Sequence, residues 1–233
     1  MKKTLKIILV FLLFLNNVNA QDVEFRTVDY NAIEKTIKDK KSEYYYPTLM
    51  ERFQKMDTTL NVEHLYHLYY GQTLQKEFDI NAVITKPKNI ETIENKESAP
   101  TPAEVKILKE YYTEIYQNQP FVDLSNIEIL AIIYSFEENE VMVKKLLKMY
   151  YGMVDALLLT GDGYSLDSAI DVIAVKHEYN LLNLFGLYSE KQSLQNEKGR
   201  SYDLLSAKNE EDKEFEVYFD VTRLFEFYDK KFK

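Results

Sequence analysis

His64 and His67 stand three residues apart, with Glu63 beside the first, in a segment whose apolar spacing predicts a helix. An i, i+3 pair shares a helix face, and imidazole is a good zinc ligand. The zinc-peptidase pattern His-Glu-x-x-His puts its glutamate directly after the first histidine. Here Glu63 precedes His64 and Leu65 fills the required place, so a metal centre needs His177 or carboxylates from elsewhere. His177-Glu178 offers an acid–base pair, because histidine titrates near neutrality. Adjacent residues on a strand point to opposite faces, which weakens a direct partnership. Asp155, Asp162, Asp167 and Asp171 form an acidic cluster in which Asp162 and Asp167 are the calcium candidates. Their spacing lacks the alternating ligands of a calcium loop, so turn and cap roles for Asp162, Ser165 and Asp167 are the expectation. Ser165 or Ser168 with His177 lacks the Gly-x-Ser-x-Gly elbow that exposes a hydrolase serine.

The other chemistry-bearing residues are aromatic. The chain holds 19 Tyr and 13 Phe but no Trp. Tyrosine is a rigid, amphipathic contact residue. Most of these tyrosines fall at helix-stripe positions and read as core. Tyr44, Tyr45 and Tyr46 are consecutive, and three consecutive rings cannot all point inward from one helix. At least one of them should be open to a neighbour.

The elements that must position these residues begin after a leader. Lys2, Lys3 and Lys6, the apolar run Ile7–Leu15 and the small residues at Val18-Asn19-Ala20 read as a secretory signal peptide. No cysteine follows the run, so the expectation is export to the periplasm or beyond, and not a lipoprotein. The whole chain has net charge −9; without residues 1–20 it has 26 Lys+Arg against 38 Asp+Glu, a net −12. That balance argues against nucleic acid and anionic membrane surfaces as partners. Zero cysteines exclude disulfides, a thiol nucleophile and cysteine-based zinc sites.

Residues 21–159 read as helical hairpins. Asp29 caps Tyr30, Ile33 and Ile37; Pro47 sits in the first turn of a helix burying Leu49 and Phe53; Asn61 caps the segment carrying Leu65, Leu68 and Tyr69. Residues 79–104 lose this periodicity and gain Pro87, Pro100 and Pro102, which predicts an exposed polar excursion. Helices then resume over 103–118, 125–136 and 140–159. Leu68-Tyr69-Tyr70-Gly71 recurs as Met149-Tyr150-Tyr151-Gly152, and a glycine inside a helix implies close helix packing to offset its cost of about 1 kcal/mol. Gly161-Asp162-Gly163 marks the change of period. Beyond it, 170–175 reads as a strand, 180–187 as a strand or short helix, 201–206 and 214–219 as further strands, and 221–232 as a closing helix. The fold class is α+β: N-terminal helical hairpins, as a bundle or tetratricopeptide-like layer, then a small antiparallel sheet and a C-terminal helix. Residues 160–233 are expected to continue one domain with the helical layer.

An ordered set of short motifs carries a resemblance. Tyr44-Tyr45-Tyr46-Pro47, Asp57-Thr58-Thr59-Leu60, His67-Leu68-Tyr69-Tyr70-Gly71 with Gln75, Gly161-Asp162-Gly163, His177-Glu178-Tyr179, Gln192-Ser193-Leu194 and Tyr218-Phe219-Asp220-Val221 resemble a secreted Bacteroidetes family described as domain of unknown function 4919. The resemblance implies an exported protein and brings no activity with it. The residues themselves favour a non-enzymatic module, without cofactor, that binds a protein or peptide. Its contact candidates are Tyr44, Tyr45, Tyr46, Tyr69, Tyr70, His177, Glu178 and Tyr179. A metal-dependent envelope hydrolase built on His64, His67 and His177 is the competing reading. A calcium-stabilised structural module at Asp162 and Asp167 is the third.

Overall fold

The computed structural model describes residues 24–79 and 81–231. The expected leader lies outside them. Among the described residues, no helix is long and apolar enough to cross a membrane. Helices come first: α1 (Tyr30–Lys38), α2 (Tyr46–Gln54), α3 (Val62–Gln72), α4 (Lys88–Glu94), α5 (Pro102–Asn118), α6 (Ser125–Phe136) and α7 (Glu140–Leu158). Strand β1 (Ile170–Asp171), helix α8 (Val175–Leu184), strands β2 (Tyr188–Glu197), β3 (Arg200–Lys208) and β4 (Glu214–Asp220), and helix α9 (Thr222–Lys231) follow. This is the α+β architecture expected, with helices preceding the sheet.

Local chemistry explains the helix starts. Asp29 accepts from the N–H groups of Asn31 and Ala32, satisfying donors that α1 cannot pair internally. Asn61 and His64 form a reciprocal capping box at the head of α3, and Thr101 with Glu104 does the same for α5. The Lys96 ammonium bonded to its carboxylate, then the backbone and side-chain bonds from Thr101, lower the Glu104 pKa to about 2. The excursion over 79–104 is not featureless: it holds α4, which buries Ile90 against the core.

Helix packing accounts for the recurring glycine. A methyl group on Gly152 of α7 would sit 2.4 Å from Leu65 Cδ1 of α3, and one on Gly71 of α3 would sit 3.2 Å from Ile37 Cδ1 of α1. The two Tyr-Tyr-Gly segments therefore lie where helices approach closely. Their second tyrosines differ, since Tyr70 is buried and Tyr151 is exposed.

The sheet order is β1-β4-β3-β2. Strands β2, β3 and β4 form the antiparallel meander, and β1 adds a parallel edge by pairing Ile170 with Phe219 and Asp171 with Asp220. Two expectations over this region need correction. The strand predicted over 170–175 stops at Asp171, and Val175–Leu184 is a helix. Strand β2 lies where no strand was expected; eight of its ten residues are exposed, so it shows no apolar alternation.

Candidate functional site

Four of the proposed contact residues are interior. Tyr69, Tyr70, His177 and Glu178 are all 0% exposed, so they offer no surface to a partner. Their roles follow from their hydrogen bonds. His177 Nε2 lies 2.9 Å from the carbonyl oxygen of Phe121. A carbonyl only accepts, so Nε2 carries the proton and Nδ1 is the acceptor. Tyr69 Oη, 2.7 Å from Nδ1, donates to it and in turn accepts from the Ile173 N–H at 3.2 Å. Tyr70 Oη donates to the Asp171 carbonyl at 2.9 Å. Burial depresses the His177 pKa to about 4, partly offset by the Phe121 carbonyl and Asp123, and the ring is neutral. Burial also pushes the Tyr69 and Tyr70 phenols well up. The two tyrosines of α3 thus clamp β1 and the segment after it, while His177 clamps the segment after α5.

This clamp makes a direct prediction. Tyr69→Phe removes one hydroxyl and leaves both His177 Nδ1 and the Ile173 N–H unpaired in the interior. A buried unsatisfied polar group costs about 1–3 kcal/mol, so the variant should lose about 3 kcal/mol in denaturant unfolding. The Ile173 amide should also exchange faster with solvent.

The clamped segments line a cleft of about 770 Å³. Helix ends line it as well. Gln54 closes α2, Gln72 closes α3, and Gln117 and Asn118 close α5. Gln75, Asn81 and Gln119 add further amides, and Met50, Val122 and Ala174 supply apolar floor. Gln54 and Gln117 exchange side-chain-to-backbone bonds, at 2.6 and 2.9 Å, that tie α2 to α5. Tyr46 Oη donates to Gln72 Oε1. The charged lining groups are Glu77 and Asp79, both exposed at the rim. The C-terminal residues of three helices line the cleft, and each helix end carries partial negative charge. The cleft is therefore built for hydrogen-bond donors and cations.

The metal candidates do not assemble. His64 Nδ1 accepts from the Asn61 N–H at 3.2 Å, and its Nε2 faces Glu43 at 3.4 Å. His67 Nδ1 donates to the Glu63 carbonyl at 2.8 Å, and its ring stacks on Tyr44 at 3.9 Å between centroids. His177 is enclosed by Tyr69 and Phe121 as above. Among the described residues no group of three or more His, Cys, Asp or Glu side chains could hold a metal ion. Asp162 accepts from the Tyr164 N–H in a local turn, Ser165 caps the short 3-10 turn Leu166–Ser168, and Asp167 is exposed in that turn.

Two buried carboxyl pairs went unremarked in the sequence. Asp171 and Asp220 are neighbours across β1 and β4; Arg200 bonds Asp220 through Nε at 2.6 Å and lies 3.7 Å from Asp171. Burial, then the Asp220 charge, raise the Asp171 pKa well above the carboxylate range. With Arg200 between the two acids, the position a cation would take is filled. Glu178 of α8 faces Asp203 of β3, and burial together with Asp203 raises its pKa to about 9. Neither Glu178 oxygen has a hydrogen-bond partner among the described residues. Three of the other contact candidates keep some exposure: Tyr44 over His67, Tyr45, and Tyr179, whose hydroxyl donates to Gln192 at 3.1 Å. Tyr46 is buried at the head of α2.

Comparison with curated proteins and with solved structures returns no significant match. Residues 31–230 match the family described as Domain of unknown function (DUF4919). That match covers most of the chain, and the protein belongs to this family.

Proposed function

We propose that the protein is an exported, non-enzymatic binding module of a secreted Bacteroidetes family, and that its amide-lined cleft takes an extended, neutral-to-basic peptide. The observation behind this reading is the convergence of amide side chains from three helix ends on one cleft with an apolar floor. An extended peptide presents one N–H and one C=O per residue, and a carboxamide offers a donor and an acceptor on one short side chain. Sugar recognition is less well supported, because it calls for an open aromatic face. Tyr46 and Phe121 are buried, and Phe78 packs on Phe227 with centroids 4.9 Å apart. Glu77, Asp79 and the helix C-termini favour basic side chains over acidic ones.

An array of immobilised heptapeptides tests the reading. The protein should retain neutral and lysine-bearing sequences and reject aspartate-rich ones. Val122→Arg places a cation on the cleft floor and should weaken retention at least about tenfold, equivalent to ~1.4 kcal/mol, with little change in melting temperature. Equal retention by a folded Val122→Arg variant, or equal retention of acidic peptides, would remove the cleft from consideration.

A further inference from the structure

The free edge of the sheet is β2. Among the described residues, no backbone group outside β3 bonds to the backbone of Glu190–Glu197. A bulge at Glu190 breaks the β2–β3 register on one side, and the turn at Lys198-Gly199, with φ of 51° and 80°, ends the strand on the other. The regular run is therefore Lys191–Glu197, centred on Leu194. That leucine is 48% exposed, an unusual place for an apolar side chain on a polar strand.

The run is complementary to its own reverse. Laid antiparallel on a second copy with Leu194 opposite Leu194, it sets Lys191 against Glu197 at both ends. Gln192 then faces Asn196, and Ser193 faces Gln195. Outside the run, Glu190 faces Lys198 with the same sense of charge. Opposite charges directly across a pair of strands attract, and like charges repel. The register is selective. Centring on Ser193 would put Lys191 against Gln195 and Glu197 against Ser189. Centring on Gln195 would put Lys191 against Gly199 and Glu197 against Ser193. Both ion pairs are lost in either case. An unpaired edge that is charge-matched to itself has a second copy of this chain as its natural partner.

We propose that the protein forms a twofold dimer by antiparallel pairing of β2 with β2 about Leu194, joining two four-stranded sheets into one of eight strands. The contact is independent of the peptide cleft. The chain contains no cysteine, so an engineered thiol reports the register directly. Opposed residues in an antiparallel pair have Cα atoms about 4.5–5.5 Å apart, within the range a disulfide spans. Leu194→Cys should give a disulfide-linked dimer under mild oxidation. Ser193→Cys alone should not, because its opposite number is Gln195. Sedimentation of the otherwise unaltered protein should show concentration-dependent dimer. Lys191→Glu opposes like charges twice and should lower the association constant at least about tenfold. Adding Glu197→Lys to Lys191→Glu restores both pairs with reversed sign and should recover the dimer. Thermal melting checks that each exposed substitution leaves the fold intact. A protein that stays monomeric to about 1 mM, the concentration matching a ~4 kcal/mol association, overturns the proposal. So does Ser193→Cys crosslinking as readily as Leu194→Cys, or a charge swap that recovers nothing.

Discussion

Gly161→Ala should be the most damaging single methyl group that can be added to this protein. A Cβ there would lie 2.2 Å from the carbonyl oxygen of Ser168 and 2.5 Å from that of Ala169. Both neighbours are backbone, so no rotamer change relieves the clash. Nor can that backbone retreat freely, because the Gly163 N–H holds the Ser168 carbonyl at 2.8 Å and the Gly163 carbonyl holds the Tyr218 N–H of β4 at 2.8 Å. The turn and the sheet would have to separate together. Losses above about 4 kcal/mol mark such backbone conflicts, and for a chain of this size that lowers the melting temperature by ~10 °C or more. Gly199→Ala is the control. Its φ of 80° strains any side chain, yet nothing lies within 4 Å, and its cost should stay near ~1 kcal/mol. Equal melting temperatures for the two variants would show that the Gly161 contact is not tight.

Glu178→Gln should stabilise the protein at pH 8 and flatten its alkaline decline. The carboxyl has a folded pKa of about 9 against an ordinary glutamate value of 4.5. A group raised on folding contributes stability that is present below about pH 4.5 and lost as pH climbs toward 9. The amide mimics the protonated carboxyl, can donate to Asp203, and never ionises. Removing the cost of taking up a proton here on folding should gain about 2 kcal/mol at pH 8, or some 4–8 °C at this chain length. Some alkaline slope should persist, because Asp171 is raised for the same reason. The acid side should be unaffected. His177 is depressed to about 4, so its contribution is present above pH 6.5 and lost as pH falls toward 4. Melting curves from pH 4 to 9 decide the matter: an unchanged or lower midpoint at pH 8 rules out proton uptake by Glu178 on folding as a source of instability.

The helical half was legible because its signals are local. Asp29, Pro47 and Asn61 announce helix starts, and the residues behind them repeat at the helical period. Helix α8 was not, because Ala174 precedes it without a capping side chain and the β-branched Val172, Ile173 and Val175 suggest a strand. Tertiary packing decided that segment. Gly161-Asp162-Gly163 marked the change of period, but its two glycines serve differently: Gly163 has positive φ, and Gly161 is required by close approach. The histidines and tyrosines drew attention as potential chemistry, and several turned out to hold the interior together. The cleft amides drew none, since Gln54, Gln72 and Gln117 are far apart in sequence. Their shared position at helix ends was the signal available.

The tie between Tyr69 and His177 also has a consequence for the order in which the chain organises. Helix α6 packs on its sequence neighbours α5 and α7, and local contacts form quickly because little chain must be closed to make them. Tyr69 meets His177 across 108 residues, and β1 finds β4 only once the intervening meander exists. The early helical layer is thus left with an unfilled hydroxyl and an open flank until the last quarter of the chain docks. Committed folding falls to the C-terminal segment, and the interval before it arrives is when this protein is most exposed to wrong partners.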